Sequence, residues 1–135
     1  MPAIRHTLAR LRQLRLWEAV HRENAAEYLH RATQGVGARR AMDIGGTGDC
    51  PLTNNAGRYT KEHAAAEQAR READTLWTGI APGLAALELD PRSVIELYYN
   101  QAVPWADIPA TIKRSSVSCD RMHREAVEHL EREQP

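Results

Sequence analysis

The chain has 135 residues, enough for one domain or a domain with an appendage, and too few for a multidomain enzyme. Of its 42% hydrophobic side chains, 21 are Ala and 12 are Leu, while Phe is absent. Ala is the best helix former but buries little area, so the composition predicts an all-α protein and argues against a β-sandwich or barrel. Basic and acidic side chains balance at 18 each, so net charge names no class of partner. Two Cys, Cys50 and Cys119, are too few for a disulfide framework or a metal cluster by themselves. No apolar run reaches the roughly 18 residues of a membrane span, and the Arg-rich start has no signal-peptide apolar block. A cytoplasmic protein with no membrane contact is expected.

Residues 1–34 carry six Arg against three Glu, which makes them the most basic stretch of the chain. Ile4, Leu8, Leu11, Leu14 and Trp17 follow at helical spacing, with Val20, Tyr28 and Leu29 beyond them. This predicts a basic amphipathic helix over 1–33, with Arg5, Arg12, Arg15 and Arg22 projecting and Gly35 and Gly37 ending it. So long a helix must dock on the rest of the chain or on a partner, self-association included. Six of the eight Gly then fall within residues 34–59, together with Pro51 and Asn54-Asn55, and predict a flexible loop.

A helical domain is expected over 60–135. Thr60 reads as an N-cap, followed by Ala64, Ala65, Ala69, Ala73, Leu76 and Trp77, with Gly79 ending or bending the helix. Pro82-Gly83 opens a short apolar segment through Leu84, Leu87 and Leu89. Asp90-Pro91 marks a new start, with Asp90 as N-cap, and Arg92 to Gln101 reads as the helix. Pro104 separates it from a short element around Trp105 to Ile112, after which Ser115-Ser116 caps a last helix running to about Arg132.

The order helix, break, short helix, turn, capped helix is that of a helix-turn-helix DNA reader. Ser93-Val-Ile-Glu-Leu-Tyr-Tyr99, then Trp105-Ala-Asp-Ile108, then Ser115 through Ala126 and Leu130 carry the pattern. They resemble the promoter-reading region four of bacterial sigma factors, and the sigma-like domains of small phage transcription regulators and late-gene antiterminators. The resemblance covers about a third of the chain, at about 91–132, and implies double-stranded DNA and RNA polymerase as partners. Lys113 stands where the family usually has Gly, and Pro109 where it usually has Ala. Pro109 fits only if the short helix begins near Trp105 to Asp107, so that the ring sits in its first turn.

At about 100° per residue the last helix divides into two faces. Cys119, Met122, His123, Ala126 and Leu130 form the packing stripe, and Val117, Arg121, Arg124 and Glu128 lie opposite, with Asp120 on the flank. A reading helix needs donors for phosphate or guanine and an apolar group for a thymine methyl, which Arg121, Arg124 and Val117 supply. Lys113, Arg114, Ser115 and Ser116, with the first-turn N–H groups beside them, suit phosphate oxygens. The same Arg–Glu spacing also suits a solvated helix face, and Asp120 and Glu128 repel phosphate. Tyr98, Tyr99 and Trp105 read as core residues before base-stacking ones.

Catalytic signals are weak. The His residues at 6, 21, 30, 63, 123 and 129 have no spacing that sets two ligands on one helix face. Cys119 reads as an inert buried thiol, and Cys50 has no basic neighbour to activate it. Gly45-Gly-Thr-Gly48 lacks the Lys-Ser/Thr of a phosphate loop. No enzyme, metal or cofactor is expected. The leading expectation is a phage-type transcription regulator, an activator or antiterminator acting with bacterial RNA polymerase inside the host cell. A small terminase-like DNA-packaging subunit and a helical protein-interaction module without DNA contact stand beside it.

Overall fold

The computed structural model describes residues 3–42 and 51–133, with side chains over 3–33 and 54–133. Every regular element among them is helical, so the fold class is all-α as the composition predicts. The elements are α1 (Ile4–Met42), α2 (Pro51–Leu84), α3 (Leu89–Ile95), α4 (Ile108–Ile112) and α5 (Ser116–Glu133). A π-helical turn, Glu96–Asn100, extends α3, and a 3₁₀ turn, Trp105–Asp107, leads into α4.

Several boundaries differ from the sequence reading. α1 continues through Gly35 and Gly37 to Met42, because a helix-interior Gly costs only about 1 kcal/mol and Ala38, Ala41 and Met42 favour continuation. α2 is described from Pro51 on, so the flexible loop expected over 34–59 is helical on both sides of residues 43–50. Those eight residues, with Cys50 and the Gly45–Gly48 run, lie outside the described residues. Thr60 is not a cap: its hydroxyl donates to the Ala56 carbonyl from inside α2. The helix passes Gly79 and ends at Leu84, carrying Pro82 in its last turn. α3 begins ahead of Asp90-Pro91, with Glu88 at the N-cap position but giving no side-chain cap bond, and Asp90 binds Arg114.

The chain forms two compact units, Met1–Leu16 with Arg70–Pro135, and Trp17–Ala69. The start of α1 groups with the C-terminal helices, and the rest of α1 with the first part of α2. In the first unit Ile4, Leu8, Leu11 and Leu14 of α1 are buried, with Ile80 and Leu84 of α2, Val94 and Ile95 of α3, Ile108 of α4 and five residues of α5. α3 packs on α5 and α4, and α4 on α5. Gly83 lies so close to α5 that an added Cβ would stand 2.9 Å from Leu130 Cδ2. In the second unit the buried hydrophobic residues among the described side chains are Ala25, Ala32, Ala66 and Ala69. Trp17, Val20 and Leu29, read from the sequence as an apolar stripe, are exposed there. The side chains joining its helices are polar: His21 binds Glu62, and Arg22 spans Glu18 and Glu67 at 3.0 and 3.1 Å.

Candidate nucleic-acid interface

The segment from Ile108 to Glu133 holds Lys113, Arg114, Ser115, Ser116, Val117, Asp120, Arg121 and Arg124, the residues expected to meet DNA. Trp105–Asp107 turns once as 3₁₀ helix before α4, so Pro109 is the second residue of α4, where its missing N–H leaves no partner wanting. Lys113 ends α4 in the left-handed region, φ 59° and ψ 46°, and the Arg114 N–H donates to the Pro109 carbonyl at 3.1 Å. That conformation is the physical reason Gly is favoured at such a position. Lys takes it here with its backbone bonds intact.

Ser115 then caps α5. Its Oγ accepts the Ser118 N–H at 3.1 Å and its hydroxyl bonds Ser118 Oγ at 3.0 Å, while the Cys119 N–H donates to the Ser115 carbonyl. The Ser115 hydroxyl and the Ser118 N–H are therefore committed to the cap. Cys119, Met122, Ala126, Val127 and Leu130 face inward, and burial pushes the Cys119 thiol up. Val127 was missing from the sequence stripe, and it occupies the position beside Ala126 that widens the buried face.

The outward face carries Val117, 76% exposed, with Asp120, Arg121, Arg124 and Glu128, all open to solvent. Among the described residues Arg121 and Arg124 make no ion pair, so both guanidinium groups keep their donors. Lys113, Ser115 and Ser116 are exposed beside them. Arg114 differs: its Nη2 and Nε lie 2.7 and 2.8 Å from Asp90 Oδ2, which ties the turn to α3 and halves the cationic charge there.

Behind this face the rings named as base-stacking candidates pack on one another. Tyr98 meets Tyr99 and Trp105 edge-on, and the half-buried His123 ring stacks on Tyr99 and meets Trp105 edge-on. Tyr99 Oη and His123 Nε2 share a 2.6 Å hydrogen bond. Burial, with Arg5 reinforcing it, holds the His123 imidazole below its ordinary pKa, against a smaller upward pull from Asp120.

The arginines at the start of α1 fix this cluster. Arg12 Nη1 donates to the carbonyls of Tyr98 at 2.7 Å and Val103 at 3.3 Å, and its guanidinium lies 4.1 Å from the Tyr98 ring centre. Arg15 Nε and Nη2 reach Asn100 Oδ1 at 3.1 and 2.8 Å, and Nη2 also pairs with Asp74. Arg5 pairs with Glu131 at 2.8 Å and Arg10 with Glu72 at 3.4 Å. The sequence could not assign these partners, because each is more than 50 residues away. No family model, curated protein or solved structure matches the chain.

Proposed function

We propose that the protein is a DNA-binding transcription regulator whose α4, turn and α5 form a helix-turn-helix, with α5 entering the major groove. The observation that carries the reading is the outward face of a capped 18-residue helix on which Arg121, Arg124 and Val117 stand exposed, backed by the buried Cys119, Met122, Ala126, Val127 and Leu130. Arg donates two hydrogen bonds to a guanine edge, and an apolar side chain such as Val117 meets a thymine methyl. Lys113 and Ser116 supply phosphate contacts that set register. Work beside bacterial RNA polymerase, in a phage-type activator or antiterminator, rests on the resemblance to sigma region four. The neutral net charge fits weak affinity for free DNA and stronger binding when a polymerase supplies further contacts.

A second reading, a protein-interaction module without DNA contact, is favoured by one observation. Asp90 neutralises Arg114, and Asp120 and Glu128 sit on the same exposed face as the arginines. Selection of duplexes from a random pool, followed by anisotropy titration at several salt concentrations, separates the two. Arg121→Ala and Arg124→Ala should each cost about 1–3 kcal/mol and relax one position of the selected site. Lys113→Ala should weaken all duplexes alike. If both Arg variants keep the parent's circular dichroism and bind as tightly, α5 does not read DNA.

A further inference from the structure

Between α3 and α4 runs an open trough of about 360 Å³, with Leu89, Asp90, Glu96, Leu97, Thr111 and Ile112 among its walls. None of its lining residues comes from α5, so it is a surface separate from the proposed DNA-reading face. Leu97 and Ile112 are partly buried against the core beneath and give the trough an apolar floor. Leu89 stands at its rim 66% exposed, which only Val117 exceeds among the described large hydrophobic residues. Single exposed apolar residues are common; this one stands over Leu97 and Ile112 in a trough whose other walls, Ser93, Gln101 and Thr111 among them, are polar.

The charge of the trough selects what covers it. Its lining holds two carboxylates, Asp90 and Glu96, and no cation. Asp90 is taken by Arg114, whereas Glu96 makes no ion pair among the described residues. Carboxylates repel phosphate, so a nucleic acid is the wrong occupant, and an apolar side chain flanked by cations is the right one. Leu89, Ser93, Glu96 and Leu97 recur at helical spacing, so the trough follows the α3 axis, on the order of 15 Å long. That shape suits a helix laid alongside.

We propose that this trough is the docking site for a protein segment of basic amphipathic character, which seats an apolar side chain over Leu97 and Ile112 beside Leu89 and sets a Lys or Arg against Glu96. The proposal stands independently of DNA binding. The test titrates the isotope-labelled full chain with a synthetic amphipathic helical peptide of Leu and Lys. A Ser and Lys peptide and a Leu and Glu peptide are run beside it. The Leu and Lys peptide should bind, shift amides clustered over 89–101 and 111–112, and weaken with salt. Leu89→Ser and Glu96→Lys should each weaken it by about tenfold, about 1.4 kcal/mol, while leaving the thermal melt unchanged. Arg121→Ala should leave the peptide bound, so loss of the DNA reading and loss of this one are distinguishable. Equal binding of either control peptide, shifts centred elsewhere, or indifference to both substitutions overturns the proposal. So does a parent dimer that Glu96→Lys makes monomeric, since the occupant would then be a second copy.

Discussion

In the unit formed by Met1–Leu16 and Arg70–Pro135, α1 buries Ile4, Leu8, Leu11 and Leu14; in the unit Trp17–Ala69 the same helix buries Ala25 and Ala32. α2 shows the same change of side chain, from Ile80 and Leu84 in the first unit to Ala66 and Ala69 in the second. Both units are helical, so propensity does not separate them. What separates them is buried apolar area, several-fold greater for a Leu than for an Ala. The second unit is held instead by exposed or half-exposed ion pairs, each of which contributes little. Stability should therefore be uneven, with the unit that carries α5 the firmer one.

The largest expected effect tests that contrast directly. Leu8→Ala or Ile108→Ala should destabilise by about 2–5 kcal/mol, because both side chains are fully buried. Ala25→Gly should cost only about 1 kcal/mol, mostly in helix propensity. Chemical denaturation of the three variants measures this, and hydrogen exchange should show the amides of 17–33 and 54–69 opening before those of α3 and α5. Equal losses from Leu8→Ala and Ala25→Gly would mean the second unit has a core this structure does not show.

Next in size is Arg12. Arg12 donates to the Tyr98 carbonyl in the π-helical turn and to the Val103 carbonyl beyond it. Arg12→Ala should cost about 1.5–3 kcal/mol, as expected for hydrogen bonds to a charged donor, and Arg12→Lys should restore only part of it. Disturbed Trp105 fluorescence in Arg12→Ala would place the damage at the aromatic cluster. An unchanged melt would show the guanidinium to be idle.

The residues explain how far the sequence was legible. The period of α1, the Ser115 cap and the two faces of α5 are local features, written in residues three or four apart, and they were readable. Helix ends at Gly35, Gly37 and Gly79 were misread because Gly lowers helix propensity without forbidding a helix. Exposure of Trp17, Val20 and Leu29 was not legible either, since alanines carry the buried positions where larger residues were expected. Nothing local tells an arginine that projects from one that clamps a carbonyl 86 residues away, as Arg12 does. The residues proposed to read DNA rest on pattern, and the structure adds that Arg114 is engaged while Arg121 and Arg124 are exposed.

A smaller effect is pH dependence through His123. Burial lowers its pKa in the folded state, so folding favours the neutral ring. Above the ordinary His value, about 6.5, both states are neutral and stability is at its full value. As pH falls below that value the unfolded chain takes up the proton first, and stability declines until the folded-state pKa is passed. His123→Gln should flatten the part of the profile that lies below about pH 6.5. An identical slope in parent and variant would assign the acid sensitivity to other groups.

The smallest effects give the finest comparison of the two units. Gly57 lies in the second unit and Gly79 in the first; both are helical, and an added Cβ at either meets nothing within 4 Å. Gly→Ala at each should stabilise its helix by about 0.5–1 kcal/mol, since Gly gives up more backbone freedom on folding. Gly83→Ala is the internal control: its Cβ would meet the buried Leu130 side chain at 2.9 Å, so the same substitution should lose part or all of that gain. If the first unit sets the main unfolding transition, Gly79→Ala raises the melting temperature. Gly57→Ala then slows hydrogen exchange in its own unit and leaves the main melt in place. A Gly57→Ala protein whose melt rises as much as that of Gly79→Ala would show the two units unfolding as one, and the alanine seam would then be as firm as the leucine core.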